Sequence, residues 1–232
     1  MAKQKPRPHE RDLYPRVSRW LAKRFRCFAT ATNVGLRYSR IDVLGLRDVG
    51  GDLSGDVETI SIEVKRGLEP FATASGQALG YKVYANRVYL ADYRDKDFGP
   101  DELQIASSLG IGLIRIGARS IVEELSSPVH SPIPRLNLRI VEAVGYGRCA
   151  LCGTLFRTGE DPKRNRFSRL AREDVARAIK AEKGLMFWNR ELAERKRRLG
   201  LRRSEEDSTF ERRYFCPDCV MYVLADLRHG SA

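Results

Sequence analysis

No stretch of this chain approaches the roughly 18 consecutive apolar residues that a membrane-spanning helix requires. The N-terminus, Met1-Ala2-Lys3-Gln4-Lys5-Pro6, also lacks the apolar core of a signal peptide. A soluble, cytoplasmic protein with no membrane partner is therefore the expectation. Cysteine is scarce: of five, four sit in two C-x-x-C pairs, which in a reducing compartment points to metal ligands rather than a disulfide framework. No internal repeat is present. Carboxylates are short in two places. Residues 1–26 carry nine Lys or Arg against two acids, and residues 153–215 carry eighteen against eleven, whereas 27–152 carry fourteen against fifteen. The net charge of +12 is thus segregated into two basic segments flanking a near-neutral centre. That arrangement fits a polyanion partner, and nucleic acid is the commonest one.

What remains is enough for one good-sized domain or two small ones, since 42% of the 232 residues are hydrophobic. Leu13, Val17, Trp20, Leu21 and Phe25 recur at helical spacing and predict a helix over about 12–26, with Pro15 tolerated only in its first turn. Two β-rich runs follow, about 37–47 and 59–66, joined by a turn containing Gly50, Gly51 and Gly55. Residues 70–85 suit a helix, 87–92 a strand, 101–109 a short helix and 111–117 another strand. This alternation argues for an α/β fold with a mixed central sheet flanked by helices. The division expected is a first domain over 1–125, a Pro- and Ser-rich linker and connecting strand over 126–148, and a second, mainly helical domain over 149–232.

The stretch Ile62-Glu63-Val64-Lys65 carries an acid and a base on one face of a strand, with Ile62 and Val64 on the other. Upstream, Asp42 lies inside the preceding apolar run. Phosphodiester hydrolysis needs a divalent cation, and hard cations such as Mg²⁺ or Mn²⁺ prefer carboxylate and carbonyl oxygen. Asp42 and Glu63 can supply two such oxygens and the Val64 backbone carbonyl a third. Lys65 can orient water and stabilise charge developing on the phosphate. A solvated ion pair between Glu63 and Lys65 on an edge strand is the alternative.

In this order, Asp42 followed by Glu63-Val64-Lys65 resembles the signature of the PD-(D/E)XK nuclease superfamily. Gln77-x-x-x-Tyr81 on the next helix resembles the motif of its RecB-like branches, and Glu10 resembles the extra N-terminal glutamate of resolvase-like members. The resemblance covers about residues 9–117, and Arg40-Ile41 stands where the motif nominally has proline. It implies a restriction-endonuclease-like fold, with Asp42 and Glu63 as metal ligands, Lys65 as the catalytic lysine and Glu10 as a second-site or water-mediated ligand. Gln77 and Tyr81 would contact DNA or brace the metal shell.

Cys149-x-x-Cys152 and Cys216-x-x-Cys219 suit tetrahedral Zn²⁺, in a closed and hence structural site clamping the ends of a basic insertion. Within that insertion, Arg164, Arg166, Arg169 and Arg172, then Arg195, Lys196, Arg197 and Arg198, form basic helical surface suited to phosphate contact. The expectation is a Mg²⁺- or Mn²⁺-dependent deoxyribonuclease, endonuclease before exonuclease, with a zinc domain that holds DNA. Double-strand cuts often need two protomers, so a homodimer is among the expected forms. The alternatives are a catalytically silent nucleic-acid-binding protein on a nuclease fold and a zinc-stabilised adaptor.

Overall fold

The computed structural model describes residues 8–35, 40–50, 56–148 and 153–157. The zinc-ligand cysteines expected at 149, 152, 216 and 219, and the basic surface expected over 164–198, lie outside these residues. The chain divides into two compact units, Met1–Val144 and Gly145–Ala232.

The first unit opens with α1 (Glu10–Phe25), which buries Leu13, Tyr14, Val17, Leu21 and Phe25. Glu10 and Asp12 in its first turn and Lys23 and Arg24 in its last complement the helix dipole. The helix begins two residues before the predicted start, so Pro15 sits in the second turn rather than the first. Lacking an N–H, Pro15 leaves the Arg11 carbonyl without its i+4 partner. A strand not anticipated from sequence, β1 (Ala29–Gly35), comes next, then β2 (Arg40–Asp48) and β3 (Val57–Lys65). The predicted helix over 70–85 is shorter: α2 (Phe71–Leu79) tightens into a 3₁₀ turn over Gly80–Val83. The unit continues with β4 (Arg87–Tyr93), α3 (Pro100–Leu109), β5 (Gly112–Ile116) and β6 (Ile121–Leu125).

Where the apolar run from Leu136 predicts a connecting strand, the chain instead forms a helix, α4 (Pro134–Ala143), with proline at its N-terminus and Ile140 and Val141 buried. The segment before it is tied to the sheet rather than loose. Val88 N–H donates to Ser127 Oγ (3.0 Å), His130 Nε2 lies 2.7 Å from the Gly110 carbonyl oxygen, and Ile133 N–H donates to the Val83 carbonyl (3.0 Å).

The six strands form one mixed sheet in sequential order β1-β2-β3-β4-β5-β6. β3, β4 and β5 run parallel, joined through α2 and α3, while β1, β2 and β6 add antiparallel edges. Every residue of β3 from Glu58 to Lys65 is buried, as expected for a strand covered on both faces. On one face Val43, Ile60, Ile62, Val64, Tyr89 and Ile114 pack under α1. On the other Leu44, Val88, Leu90 and Leu113 pack with Ala74, Ala78 and Tyr81 of the α2 region and with Ile140 of α4.

Gly112 shows how tight the first face is. A β-carbon there would run into the Tyr89 ring and come within 2.7 Å of the Ser127 backbone nitrogen. Gly112→Ala is expected to lower unfolding stability by about 1–3 kcal/mol in urea titrations, with an unchanged m-value, because the fully buried Tyr89 has nowhere to retreat. Within the second unit the described residues include a short antiparallel hairpin, β7 (Tyr146–Arg148) with β8 (Leu155–Arg157).

Candidate functional site

The β2/β3 ladder ends at the pair Val43 and Ile62, and Asp42 lies just past that last rung. Side-chain alternation breaks there too: Ile41 and Leu44 both join the core on the helix-rich face, whereas Val43 joins the core under α1. The Asp42 carboxylate uses this gap. Its Oδ2 accepts the Val64 N–H at 2.8 Å, taking the place of a strand carbonyl. A strand residue sends its N–H and C=O to the same side, so the Val64 carbonyl also faces β2.

Two further elements close on this point. Glu10 and Tyr14 are one turn apart on α1, on the side that buries Val17 and Leu21. Tyr14 Oη lies 2.6 Å from Asp42 Oδ1 and 3.0 Å from Glu10 Oε1. From the opposite face, the 3₁₀ turn brings in Tyr81, whose hydroxyl meets Glu63 Oε2 and the Arg40 carbonyl. Each tyrosine has one hydroxyl hydrogen for two acceptors, so each can donate to only one at a time. On β3, Lys65 Nζ sits 2.7 Å from Glu63 Oε1, 3.4 Å from Glu69 Oε2 and 3.9 Å from Glu10 Oε2.

Three carboxylates therefore surround one ammonium, with Asp42 joined to Glu10 through Tyr14, and the inner members are dry: Asp42, Glu63 and Lys65 are 9%, 5% and 6% exposed. Burial, with the neighbouring Glu63 charge second, pushes the Asp42 carboxyl up to about 6, although Tyr14 and the Val64 amide pull the other way. Burial disfavours the Lys65 ammonium, but its hydrogen bond to Glu63 and the charges of Glu63, Glu10 and Glu69 outweigh that and raise its pKa above the ordinary lysine value. Lys65 is thus a standing cation and hydrogen-bond donor, not a base. Burial and the adjacent carboxylates also raise both tyrosines, keeping Tyr14 and Tyr81 protonated.

Of the residues singled out from sequence, Glu10, Asp42, Glu63, Val64, Lys65 and Tyr81 come together. Gln77 does not: its side chain is exposed and forms no hydrogen bond to the cluster. The cause is the change of helix type, since a 3₁₀ turn advances about 120° per residue against about 100° in an α-helix and rotates Tyr81 away from the phase of Gln77. Tyr14 and Glu69 were missed. Tyr14 lies four residues from Glu10 on the same helix, and that spacing was the available signal; Glu69 follows Lys65 in the loop after β3, where the same spacing carries none.

Among the described residues no three His, Cys, Asp or Glu side chains converge as a ready-made metal cage. Mg²⁺, however, is commonly held through one or two carboxylates and otherwise keeps water or substrate oxygen. The Asp42 and Glu63 carboxylates each retain lone pairs beyond the bonds described, and the Val64 carbonyl faces the same side as Asp42, so the donor chemistry suits such an ion.

No family model matches the chain, and no curated protein matches it. Among solved structures, the SPO1766 protein of unknown function from Silicibacter pomeroyi is similar, with 21% sequence identity, a TM-score of 0.38, and 55% of this chain and 77% of that chain covered.

Proposed function

We propose that this chain is a divalent-cation-dependent deoxyribonuclease of the PD-(D/E)XK type, with a restriction-endonuclease-like first domain. One observation carries the reading: Asp42, Glu63 and Lys65, far apart in sequence from Glu10, meet it in a cluster whose acids, among the described residues, outnumber the bridging Lys65 ammonium. Asp42 and Glu63, with the Val64 carbonyl, would hold Mg²⁺ or Mn²⁺. When bound, such an ion neutralises phosphate charge and lowers the pKa of coordinated water. The chain's own contributions are distinct. Lys65 donates to the phosphate oxygens as their charge grows, Tyr81 holds the second oxygen of Glu63, and Tyr14 with the Val64 amide fixes Asp42. The basic segments at 1–26 and 153–215 suit the polyanion.

The test is incubation of plasmid, linear and branched DNA with purified protein and Mg²⁺ or Mn²⁺, scored for cleavage and for 5′-phosphate ends. Binding without cleavage on every substrate and with either metal would favour the second reading, a catalytically silent DNA-binding protein. One feature speaks for that second reading: the 2.7 Å contact of Lys65 already neutralises Glu63.

The same proposal gives the second unit a structural Zn²⁺ on Cys149, Cys152, Cys216 and Cys219, a basic DNA-holding surface, and the whole protein a cytoplasmic, homodimer-capable form. About one equivalent of zinc per chain is expected from metal analysis of protein purified without chelator. It is expected to fall to background in the Cys149→Ser/Cys152→Ser variant.

A further inference from the structure

At the far end of α1 and β3 from the acid cluster lies a cleft of about 370 Å³ lined by Arg24, Arg26, Arg47, Arg87 and Glu123, with Phe25 and Tyr89 among its walls. Three of the four guanidinium groups are pinned on one edge by a buried carboxylate. Arg24 Nη2 lies 2.9 Å from Glu123 Oε2, Arg87 Nε 2.8 Å from Glu58 Oε1, and Arg47 Nη1 3.4 Å from Glu58 Oε2. A guanidinium has five N–H donors, so an arginine held by one or two of them keeps the rest for a ligand while losing little further side-chain entropy. Arg26, exposed in a left-handed conformation at the helix C-cap, has no acidic partner among the described residues. Four arginines against Glu58 and Glu123 leave the cleft cationic, more than offsetting the roughly half negative charge of the α1 C-terminus.

We infer that this cleft binds neighbouring backbone phosphates of duplex DNA whose other contact is the acid cluster, an inference that rests on the nuclease reading above. The spacing suits this. Glu58 to Lys65 along β3 is about 23 Å at roughly 3.3 Å per residue, and Glu10 to Arg26 along α1 is about 24 Å at roughly 1.5 Å per residue. That is about seven phosphates of one strand at roughly 3.4 Å each along the duplex axis. Between the two ends α1 turns Arg11, Arg19 and Lys23 to solvent against one exposed acid, Asp12, so the path carries net positive charge. Tyr89 and Phe25 are buried in the wall, leaving no open aromatic face for a flipped base, and the cleft reads charge rather than sequence.

The test uses the full chain and a fluorescent 20-base-pair duplex without added Mg²⁺, with anisotropy followed as a function of salt. The variant is Arg26→Gly/Arg47→Gln. Glycine suits the φ of 53° at residue 26, and Arg87 still neutralises Glu58 when Arg47 is gone. The expected result is about tenfold weaker binding, and a slope of log K against log salt shallower by about 2 from the loss of two phosphate contacts. Arg26→Gly alone is expected to give half that change in slope and guards against misfolding of the double variant; Arg26→Lys/Arg47→Lys is expected to restore most of it. Unchanged affinity and slope in the double variant overturn the inference. So does a melting temperature that millimolar pyrophosphate raises in wild type but not in the variant, with duplex binding equal in both, because the ligand is then a free anion. If wild type binds the duplex without ever cutting it and the variant loses that binding, the nuclease reading fails and the cleft stands. If wild type cuts and the variant binds unchanged, the cleft alone fails.

Discussion

Lys65→Ala is expected to lower the rate of Mg²⁺-dependent DNA cleavage by about 10²- to 10³-fold, the loss typical of removing one preorganised donor from a developing anion. The rate effect must be separated from a folding effect. Lys65 is the buried partner of Glu63 at 2.7 Å, and removing one member of such a pair leaves an uncompensated charge at a cost of about 3–5 kcal/mol. Lys65→Met fills the same volume and carries the same charge deletion, so its rate should match that of Lys65→Ala even if its stability is better. Cleavage rates are therefore to be compared at temperatures where circular dichroism shows each variant folded. Wild-type-like cleavage in either folded variant would remove Lys65 from the chemistry and leave it a structural counter-ion. Lys65→Arg keeps the charge but presents a larger planar group, and is expected to keep the fold while restoring little rate.

Asp42→Asn is expected to move stability and activity in opposite directions. In the folded chain the Asp42 carboxyl is raised to about 6 from an ordinary value of 3.8. The folded state therefore binds this proton more tightly than the unfolded state, and between about pH 4 and 6 the Asp42 contribution to stability falls as pH rises. Above pH 6 the full penalty is present, on the order of 1–3 kcal/mol for a shift of about two units. Asparagine has no charge to bury and can still accept from Val64 N–H and donate to the Tyr14 hydroxyl, which then donates to Glu10. Melting temperatures of the variant and wild type should converge near pH 4 and separate in favour of the variant up to about pH 7. Mg²⁺ affinity, read from the melting shift with added Mg²⁺, should be lost in the variant, and in wild type should weaken about tenfold per unit of pH below 6. A variant less stable than wild type at pH 7 would show that Asp42 is held ionised and satisfied by its neighbours. One that still cleaves would remove Asp42 from the site.

Both predictions concern residues that were legible in the sequence, and for a simple reason. Glu63 and Lys65 share a strand face by the two-residue period, and an acid inside each of two adjacent apolar runs has few structural uses. Other features escaped because the local signal pointed elsewhere. β1 (Ala29–Gly35) is an edge strand built mostly of Ala and Thr, with only Val34 buried, so it carries almost no apolar alternation. In α4 the order Leu136, Leu138, Ile140 mimics a strand, while Pro134 at N1 and the burial of adjacent Ile140 and Val141 decide for helix. Gln77 stands apart from Tyr81 because their shared register assumed one uninterrupted α-helix. Tyr14 falls outside the stripe of Leu13, Val17, Trp20, Leu21 and Phe25, and its hydroxyl became meaningful once Asp42 was seen beside it.

The hydrogen bond from Val64 to Asp42 also limits what residue 42 can become. Past the last rung between β2 and β3, a side chain closes the seam that main chain closes elsewhere. An apolar residue there would strand an interior N–H, so the fold alone tolerates only acceptors of suitable length, which narrows the choice to Asp and Asn. Under the proposed function, cation chemistry would select aspartate of those two, against the preference of stability. A lineage that lost the activity would be expected to drift first to asparagine at this position, keeping its architecture intact.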